Sequence, residues 1–199
     1  MRYILSVLLL ALLSSNCIAQ FAKNPPPPQP KPQQTAPQQA PVKAAPAPPV
    51  DPNIKKAQDF YQAAMKETSL DNVVKKFSKA IELNPNFREA IFYRGVAYYQ
   101  NKNAQKAIND FDKIIQLDPK NFGAYMYRGR AKESLKLLGD ALSDYNTAVK
   151  MNPKFAEGLF YRGQYYKMNG NDAKKACDDF NQAKKLGFNV AEDLLKDCK

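Results

Sequence analysis

Three prolines at one fixed interval constrain the fold of this chain more than any other feature. A step of 34 residues separates Pro85 from Pro119, and the same step separates Pro119 from Pro153. A second element keeps this step, a Tyr-Arg-Gly triplet that begins at Tyr93, Tyr127 and Tyr161. Two features that share one period indicate internal repeats, each a supersecondary unit that buries its apolar face against its neighbours.

Each repeat has the residue pattern of two short amphipathic helices. From Phe87 to Gln100, apolar and aromatic residues recur at three- and four-residue steps, which is helical spacing. The polar segment 101–103 interrupts this pattern, and a second amphipathic helix is predicted from Ala104 to Leu117. Gly95 would let the two helices approach closely, and Phe111 would fill the space beside it. The sequence therefore predicts an all-α fold of consecutive helix pairs.

These positions resemble the tetratricopeptide repeat family, whose units carry Gly-Tyr, Ala-Phe-Ala and a terminal Pro at this period. The resemblance covers residues 53–199 and implies a right-handed solenoid of about four helix pairs with a C-terminal capping helix. In the first repeat Tyr61 stands where the later repeats carry glycine. The implied segments are the repeats 53–86, 87–120, 121–154 and 155–188 and the cap 189–199.

The end of the fourth repeat has signals of its own. Gly187 follows a lysine-rich helix end at the C-cap position, and no proline closes the repeat. Asn189 is predicted to cap a last helix, Val190 to Cys198, that covers the apolar end of the stack. This ending resembles that of envelope-exported repeat proteins of the Bacteroidetes. A disulfide between Cys177 and Cys198 fits that resemblance in an oxidising compartment, and a pair of buried thiols is the alternative.

Residues 1–19 have the pattern of an export signal. An unbroken apolar run from Ile4 to Leu13 follows a basic residue and is too short to span a bilayer as a helix. Small residues at Cys17 and Ala19 suit cleavage ahead of Gln20. The alternative is a lipoprotein signal in which Cys17 becomes the acylated first residue. Both predict an exported protein, either periplasmic or associated with the outer membrane.

Residues 20–52 form a predicted linker. Twelve of the 15 prolines lie between residues 24 and 52, with Gln and Ala between most of them. Such a segment has too little apolar surface to offset the entropy of folding, so it is predicted to be a disordered, semi-rigid polyproline spacer. A docking motif for a proline-reading domain, at Pro25 to Pro32, is the alternative.

The composition argues against an enzyme. The chain has no His, which removes the commonest general base and every His-containing zinc site. No constellation of carboxylates, nucleophiles or phosphate loops stands out, so we expect no catalytic residue, cofactor or metal. The net charge of +11 comes mostly from scattered lysines and predicts a solvated basic surface. Attraction to anionic lipid or acidic polymers is the alternative, and no nucleic-acid reader motif is present.

The family resemblance also implies where a ligand binds. In tetratricopeptide proteins the first helix of each pair lines a concave groove that takes extended peptides. Glu89, Gly123, Glu133 and Glu157 share the phase of this groove, and its Phe and Met side chains suit an apolar or aromatic peptide. Packing in the core is the alternative for these large side chains. The groove residues predicted by phase are Phe92, Val96, Tyr99, Met126, Arg130, Phe160, Gln164 and Lys167.

Val96, Arg130 and Gln164 do not match the Asn and Lys residues with which cytosolic relatives clamp chaperone tails, so that ligand is not predicted. A second periodic feature has two interpretations. Arginines and aspartates repeat together, which favours an ion pair that links the two helices of each unit over an arginine stripe for an acidic partner. The members are Arg94, Arg128 and Arg162 with Asp110, Asp144 and Asp179.

These features predict a non-catalytic scaffold that binds a protein or peptide partner in a bacterial cell envelope. Two alternatives stay open. A structural subunit of an envelope assembly or secretion complex would use its convex or terminal faces instead of the groove. A basic binder of cell-wall or other anionic polymers would lose affinity steeply as the salt concentration rises.

Overall fold

The computed structural model describes residues 51–169, 172–196 and 198. The predicted leader, the predicted linker as far as residue 50, and Cys17 lie outside these residues. The described residues form α-helices and no strands, as the sequence predicts. The helices are α1 Pro52–Met65, α2 Leu70–Leu83, α3 Arg88–Gln100, α4 Ala104–Leu117, α5 Phe122–Ser134, α6 Leu138–Met151, α7 Ala156–Met168, α8 Ala173–Lys185 and α9 Glu192–Leu195.

The chain divides after Pro85 into two units. Within the described part of the first unit, α1 and α2 form one helix pair. Asp51 caps α1, where its side chain accepts a hydrogen bond of 2.8 Å from the backbone N–H of Asn53. Tyr61 packs on Phe77 with a distance of 5.7 Å between ring centroids. The residue that replaces the expected glycine therefore supplies an aromatic contact between the two helices.

The second unit contains three consecutive helix pairs, α3–α4, α5–α6 and α7–α8, followed by α9. The bounds of α3 and α4 agree with the predicted helices to within one residue. A close approach within each pair explains the repeated glycine. A Cβ built on Gly95 would lie 2.9 Å from the ring of Phe111, and one built on Gly163 would lie 2.8 Å from the ring of Phe180. These distances are too short for any larger residue.

The last helix is shorter than predicted. It spans only Glu192–Leu195, with Ala191 and not Asn189 at its N-cap, and Ala191 makes no capping hydrogen bond through its side chain. Gly187 does end α8 as predicted, with φ +87° in the left-handed region. Val190 is buried against Phe180 and its neighbours. The prediction of a helix from Val190 to Cys198 is therefore wrong, because the chain turns Val190 inward before the helix begins.

Among the described residues, no helix has both the length and the apolar character needed to cross a membrane.

Candidate functional site

The repeated arginines and aspartates form the ion pairs that the sequence favours. Arg94 donates to Asp110 through Nε at 2.9 Å and Nη2 at 2.7 Å. Arg162 makes the same two-pronged contact with Asp179, at 2.8 Å for each bond. Each carboxylate is buried, and one guanidinium supplies the hydrogen bonds that both of its oxygens need there. These arginines join the two helices of a pair and are not available as a stripe for an acidic partner.

Arg128 joins two helix pairs as well as two helices. Its Nε and Nη2 donate to Asp144 on α6 at 2.8 and 2.6 Å. Its Nη1 donates to Asp112 on α4, in the preceding pair, at 2.6 Å. Lys132, one turn along α5, also pairs with Asp144 at 2.9 Å. Arg128 is thus fully engaged in holding the second and third repeats together.

Arg130 lies two residues further along α5 and has different surroundings. Its guanidinium carbon is 3.7 Å from the ring centroid of Tyr161, 4.9 Å from that of Tyr99 and 5.6 Å from that of Tyr127. Within the described part of the chain it makes no hydrogen bond and no ion pair. A guanidinium carries five N–H donors. Tyrosine rings therefore surround a cation whose hydrogen-bonding capacity the described protein leaves unused.

One carboxylate lies close to Arg130 without forming an ion pair. Glu157 on α7 accepts a hydrogen bond of 3.4 Å from the hydroxyl of Tyr127. Burial raises the pKa of Glu157, and the positive charge of Arg130 offsets part of that rise. Burial likewise raises the pKa of Tyr127, so its hydroxyl stays a donor at neutral pH. The name tyrosine–arginine cluster is used below for Tyr99, Tyr127, Arg130, Glu157 and Tyr161.

A second carboxylate, that of Glu133, lies on α5 three residues after Arg130. Glu133 accepts a hydrogen bond of 2.7 Å from the hydroxyl of Tyr145, and another from the side-chain amide of Asn169. The first of these bonds spans the third repeat, and the second joins α5 to the residue after α7. Burial and the adjacent charge of Glu133 raise the pKa of Tyr145. Glu133 is therefore occupied by the protein itself.

Two tetratricopeptide repeat profiles match the second unit, at residues 88–121 and 124–187. The chain contains tetratricopeptide repeats. The helix pair at residues 52–83 lies outside both matches. A search of curated proteins found no match.

Solved tetratricopeptide structures share the fold. The crystal structure of MamA protein aligns with a TM-score of 0.59 and 18% identity, over 68% of this chain and 73% of that chain. The first tetratricopeptide domain of Spaghetti (RPAP3), bound to the HSP90 peptide SRMEEVD, aligns with a TM-score of 0.54 and 21% identity, over 57% and 93%. The Arabidopsis OM64 tetratricopeptide domain has a TM-score of 0.55 and 26% identity, over 58% and 98%.

The repeats place the eight predicted groove residues in two environments. Phe92, Val96 and Met126 are buried, with exposed fractions of 5%, 3% and 0%. The ring of Phe92 packs on those of Phe111 and Tyr127, because α5 of the next repeat covers it. These three side chains belong to the packing between repeats. A partner contact for any of the eight stays a prediction.

The other five predicted residues have exposed surface. Tyr99, Arg130 and Gln164 are half-buried on the first helices of the three repeats, and Lys167 is exposed. Phe160 is also half-buried. Its ring lies 4.7 Å from that of Phe188 in the segment after α8. The exposed part of the predicted groove is thus formed by Tyr99, Arg130 and their neighbours, and much less by the predicted apolar ladder.

The sequence did not single out Tyr127, Tyr161 or Glu157 as members of a site. The two tyrosines belong to the repeated triplet, and such periodic tyrosines are typical of packing between repeats. Glu157 shares the phase of the predicted groove but has no other distinguishing feature in the sequence. A signal was present at the neighbouring position. Arg130 occupies the phase that holds Val96 in the preceding repeat and Gln164 in the following one. A charged residue at only one of three equivalent positions marks a local departure from the repeat.

The cap lies against the fourth repeat. The structure joins Cys177 to Cys198 by a disulfide, the pairing that the sequence predicts. Leu194, Leu195 and Phe188 pack on the buried cluster of Val149, Leu159, Ala176, Phe180, Ala183 and Val190. Formation of this bond in the cell depends on the predicted export and stays a prediction. The disulfide joins α8 to the segment after α9.

Proposed function

We propose that this protein is a non-catalytic scaffold of the bacterial cell envelope that binds an extended segment of a partner protein on its first helices, with Arg130 as the anchor. The observation that carries the proposal is the state of Arg130. Arginines at the repeated position are each held by a carboxylate, whereas Arg130 is surrounded by aromatic rings and makes no hydrogen bond among the described residues.

The chemistry of Arg130 indicates what the partner presents. Its donors require oxygen acceptors, which are backbone carbonyls or a carboxylate. Glu157 lies near the guanidinium but accepts from Tyr127 instead. Rings of Tyr99 and Tyr161 would flank such a partner group and exclude water from its hydrogen bonds. The same rings hold the guanidinium in place, so little side-chain entropy is lost on binding.

The solved relatives support a peptide as the ligand. The Spaghetti domain with the same fold holds an HSP90 peptide. Tetratricopeptide repeats are protein-interaction modules, and the described residues contain no group of three or more potential metal ligands. The groove positions of this chain still differ from those that clamp chaperone tails, so the proposal names a peptide with an oxygen acceptor opposite Arg130 and not that tail.

The envelope location rests on the sequence of the first nineteen residues. An export signal followed by a proline-rich tether would place the repeats outside the cytoplasm, where an oxidised Cys177–Cys198 pair persists. The mass of the protein, isolated separately from envelope and cytoplasmic fractions, tests this. A chain that begins at Gln20 supports cleavage, a diacylated chain that begins at Cys17 supports the lipoprotein alternative, and an intact Met1 in the cytoplasm contradicts both.

Affinity capture from solubilised envelope tests the binding surface. The baits are the wild-type chain, Arg130→Gln, and Arg88→Gln as a matched control, because Arg88 is exposed and outside the cluster. We expect one partner to be retained by the wild type and by Arg88→Gln. Arg130→Gln should weaken that binding by roughly tenfold or more, since a hydrogen bond to a charged group is lost. Equal capture by all three baits would contradict the proposal.

The same samples separate the two alternatives. A binder of anionic polymers would lose affinity equally in Arg130→Gln and Arg88→Gln, because each removes one positive charge, and would dissociate at high salt. A structural subunit that uses its convex or terminal faces would be captured equally by all three baits at every salt concentration. Far-ultraviolet circular dichroism of each variant excludes loss of fold as the cause.

A further inference from the structure

The turns inside the helix pairs differ in one repeat. The second repeat has Asn101-Lys102-Asn103 at this turn, and the fourth has Asn169-Gly170-Asn171. The third repeat has Leu135-Lys136-Leu137, so two leucines replace the two asparagines. Both leucines are exposed, with 41% and 46% of their surface accessible.

These leucines are unfavourable for the local structure. Leu137 is the N-cap residue of α6 and makes no capping hydrogen bond through its side chain. The equivalent residue of the fourth repeat, Asp172, accepts a hydrogen bond of 3.0 Å from the backbone N–H of Lys175. An N-cap without a hydrogen-bonding side chain costs about 1 kcal/mol. Asn103, at this place in the second repeat, makes no capping hydrogen bond either, so the exposure of the two leucines to water is what requires an explanation.

A third apolar side chain extends the same tip. Met168, the last residue of α7, has 77% of its surface exposed. The next residue, Asn169, donates a hydrogen bond to Glu133 near the end of α5, so the ends of α5 and α7 meet at this edge. The three side chains Leu135, Leu137 and Met168, called the apolar tip below, therefore project from one edge of the second unit.

Cations surround the apolar tip. Lys136 stands between the two leucines in the left-handed region at φ 62°, and Lys102 occupies the equivalent place in the second repeat at φ 57°. Lys167 is exposed beside Met168. Of the acidic residues at this edge, Asp172 pairs with Lys175 at 2.9 Å, whereas Glu133 accepts hydrogen bonds from the neutral groups of Tyr145 and Asn169. Asp140 is exposed without such a partner among the described residues. The edge thus combines exposed apolar groups with excess positive charge.

The opposite edge, where one repeat joins the next, has no comparable tip. There Phe155 is 5% exposed and its ring packs on Phe122. Met151 at the end of α6 and Leu186 at the end of α8 are the exposed large apolar residues of that edge, at 41% and 39%, and neither shares its turn with a second one. Flexible lysines around protruding leucines are the arrangement with which peripheral proteins enter the headgroup region of an anionic bilayer.

We propose that the apolar tip inserts into the interface of a bilayer that contains anionic lipids. Leu135, Leu137 and Met168 would enter the acyl boundary, while Lys102 and Lys136 would contact the headgroups. This surface is formed by the turns of the repeats and is separate from the tyrosine–arginine cluster. A scaffold docked in this way could bind its partner and a membrane at the same time.

Tryptophan fluorescence of the full chain tests the insertion, because the chain has no Trp of its own. The variants are Leu137→Trp at the tip and Leu186→Trp as a control at an exposed, lysine-flanked leucine of the opposite edge. The apolar run at residues 4–13 can itself bind lipid. A single introduced Trp reports only on its own surroundings, so it separates insertion of the tip from binding through that run. The probes are vesicles of phosphatidylcholine alone and of phosphatidylcholine with phosphatidylglycerol, each with and without brominated acyl chains.

We expect the indole of Leu137→Trp to shift to the blue and to be quenched by brominated lipid in the anionic vesicles only. The indole of Leu186→Trp should stay unchanged. No shift in Leu137→Trp, an equal shift in both variants, or an equal shift on neutral vesicles would overturn the proposal. A shift that an envelope protein produces and lipid does not would also overturn it, since the tip would then be a protein contact.

A second variant distinguishes loss of insertion from loss of fold. In the Met168→Trp background, Leu135→Asn with Leu137→Asn copies the turn of the second repeat and places a residue type favoured at helix N-caps before α6. The fold should therefore be at least as stable as before. The lipid concentration at half-maximal blue shift should rise roughly tenfold, since two buried leucines are lost. An unchanged lipid concentration would overturn the proposal.

Discussion

Arg128 and Arg130 lie two residues apart on one helix and have opposite roles. Arg128 gives its donors to Asp144 and Asp112 and joins the second repeat to the third. Arg130 points to another face of α5, where it meets the rings of Tyr99 and Tyr161 and makes no ion pair among the described residues. The difference shows that one residue type forms ion pairs where a buried carboxylate faces it, and keeps its N–H donors unused where aromatic rings surround it.

Replacement of Arg128 should have the largest effect. Arg128→Met leaves Asp144, 4% exposed, without its two-pronged partner, and only Lys132 remains beside it. Loss of one member of a buried ion pair costs about 3 kcal/mol or more. Urea unfolding followed by circular dichroism should show that loss, with Arg88→Met within about 0.5 kcal/mol of wild type as the control. Equal urea midpoints for Arg128→Met and wild type would show that Arg128 contributes no more to stability than is expected of Arg130.

The carboxylate side of the pair should give a smaller loss. Asp144→Asn keeps the shape of the side chain and removes its charge, which weakens the contacts with Arg128 and Lys132. We expect the free energy of unfolding to fall by about 2 kcal/mol, the value of a charge-assisted hydrogen bond. The matched change is Asp140→Asn, an exposed aspartate on the same helix, which should have almost no effect. A loss of similar size in both would refute a specific role for Asp144.

Replacement of Arg130 should change stability little. Arg130→Met removes cation–π contacts worth about 0.5–1 kcal/mol each, and the methionine sulfur regains part of this against the same rings. It also removes a partly buried charge that has no ion-pair partner among the described residues, and this offsets part of the loss. The unfolding free energy should stay within about 1 kcal/mol of wild type, measured as for Arg128. A loss as large as that of Arg128→Met would show that Arg130 is structural and would remove the main support for the proposed site.

Glu157→Gln should have the smallest effect, and it should depend on pH. The pKa of Glu157 is raised by burial, so the folded state holds the proton more tightly than the unfolded state does. Ionised Glu157 therefore destabilises the fold above its folded pKa, and this penalty disappears below the ordinary value of 4.5. At pH 7 the variant should be more stable by on the order of 0.5 kcal/mol.

The unfolding midpoints of Glu157→Gln and wild type test this prediction when they are compared at pH 7 and again well below pH 4.5. The gain should be present at the higher pH and absent at the lower one. A variant that is less stable at pH 7 would mean that Arg130 and Glu157 do pair, which would make the cluster resemble the arginine–aspartate pairs after all.

The sequence by itself determined the repeat. The step of 34 residues places Gly95 and Phe111 at a close approach, and it predicts that Arg94 and Asp110 meet across one pair. These contacts lie within a unit whose two helices are joined by a short turn, so phase along the helices is enough to predict them. The bounds of α3 and α4 follow for the same reason.

Only the tertiary structure decided which groove residues face outward. Phe92 and Phe160 occupy the same phase, yet Phe92 is covered by the next repeat, whereas Phe160 meets the segment before the cap. The cluster around Arg130 draws Tyr99, Tyr127 and Tyr161 from three successive repeats. Periodicity predicts which face of a helix a residue lies on. Whether that residue is buried depends on how much of this face the next helix pair covers. Packing between repeats sets that coverage, and the phase within one repeat does not.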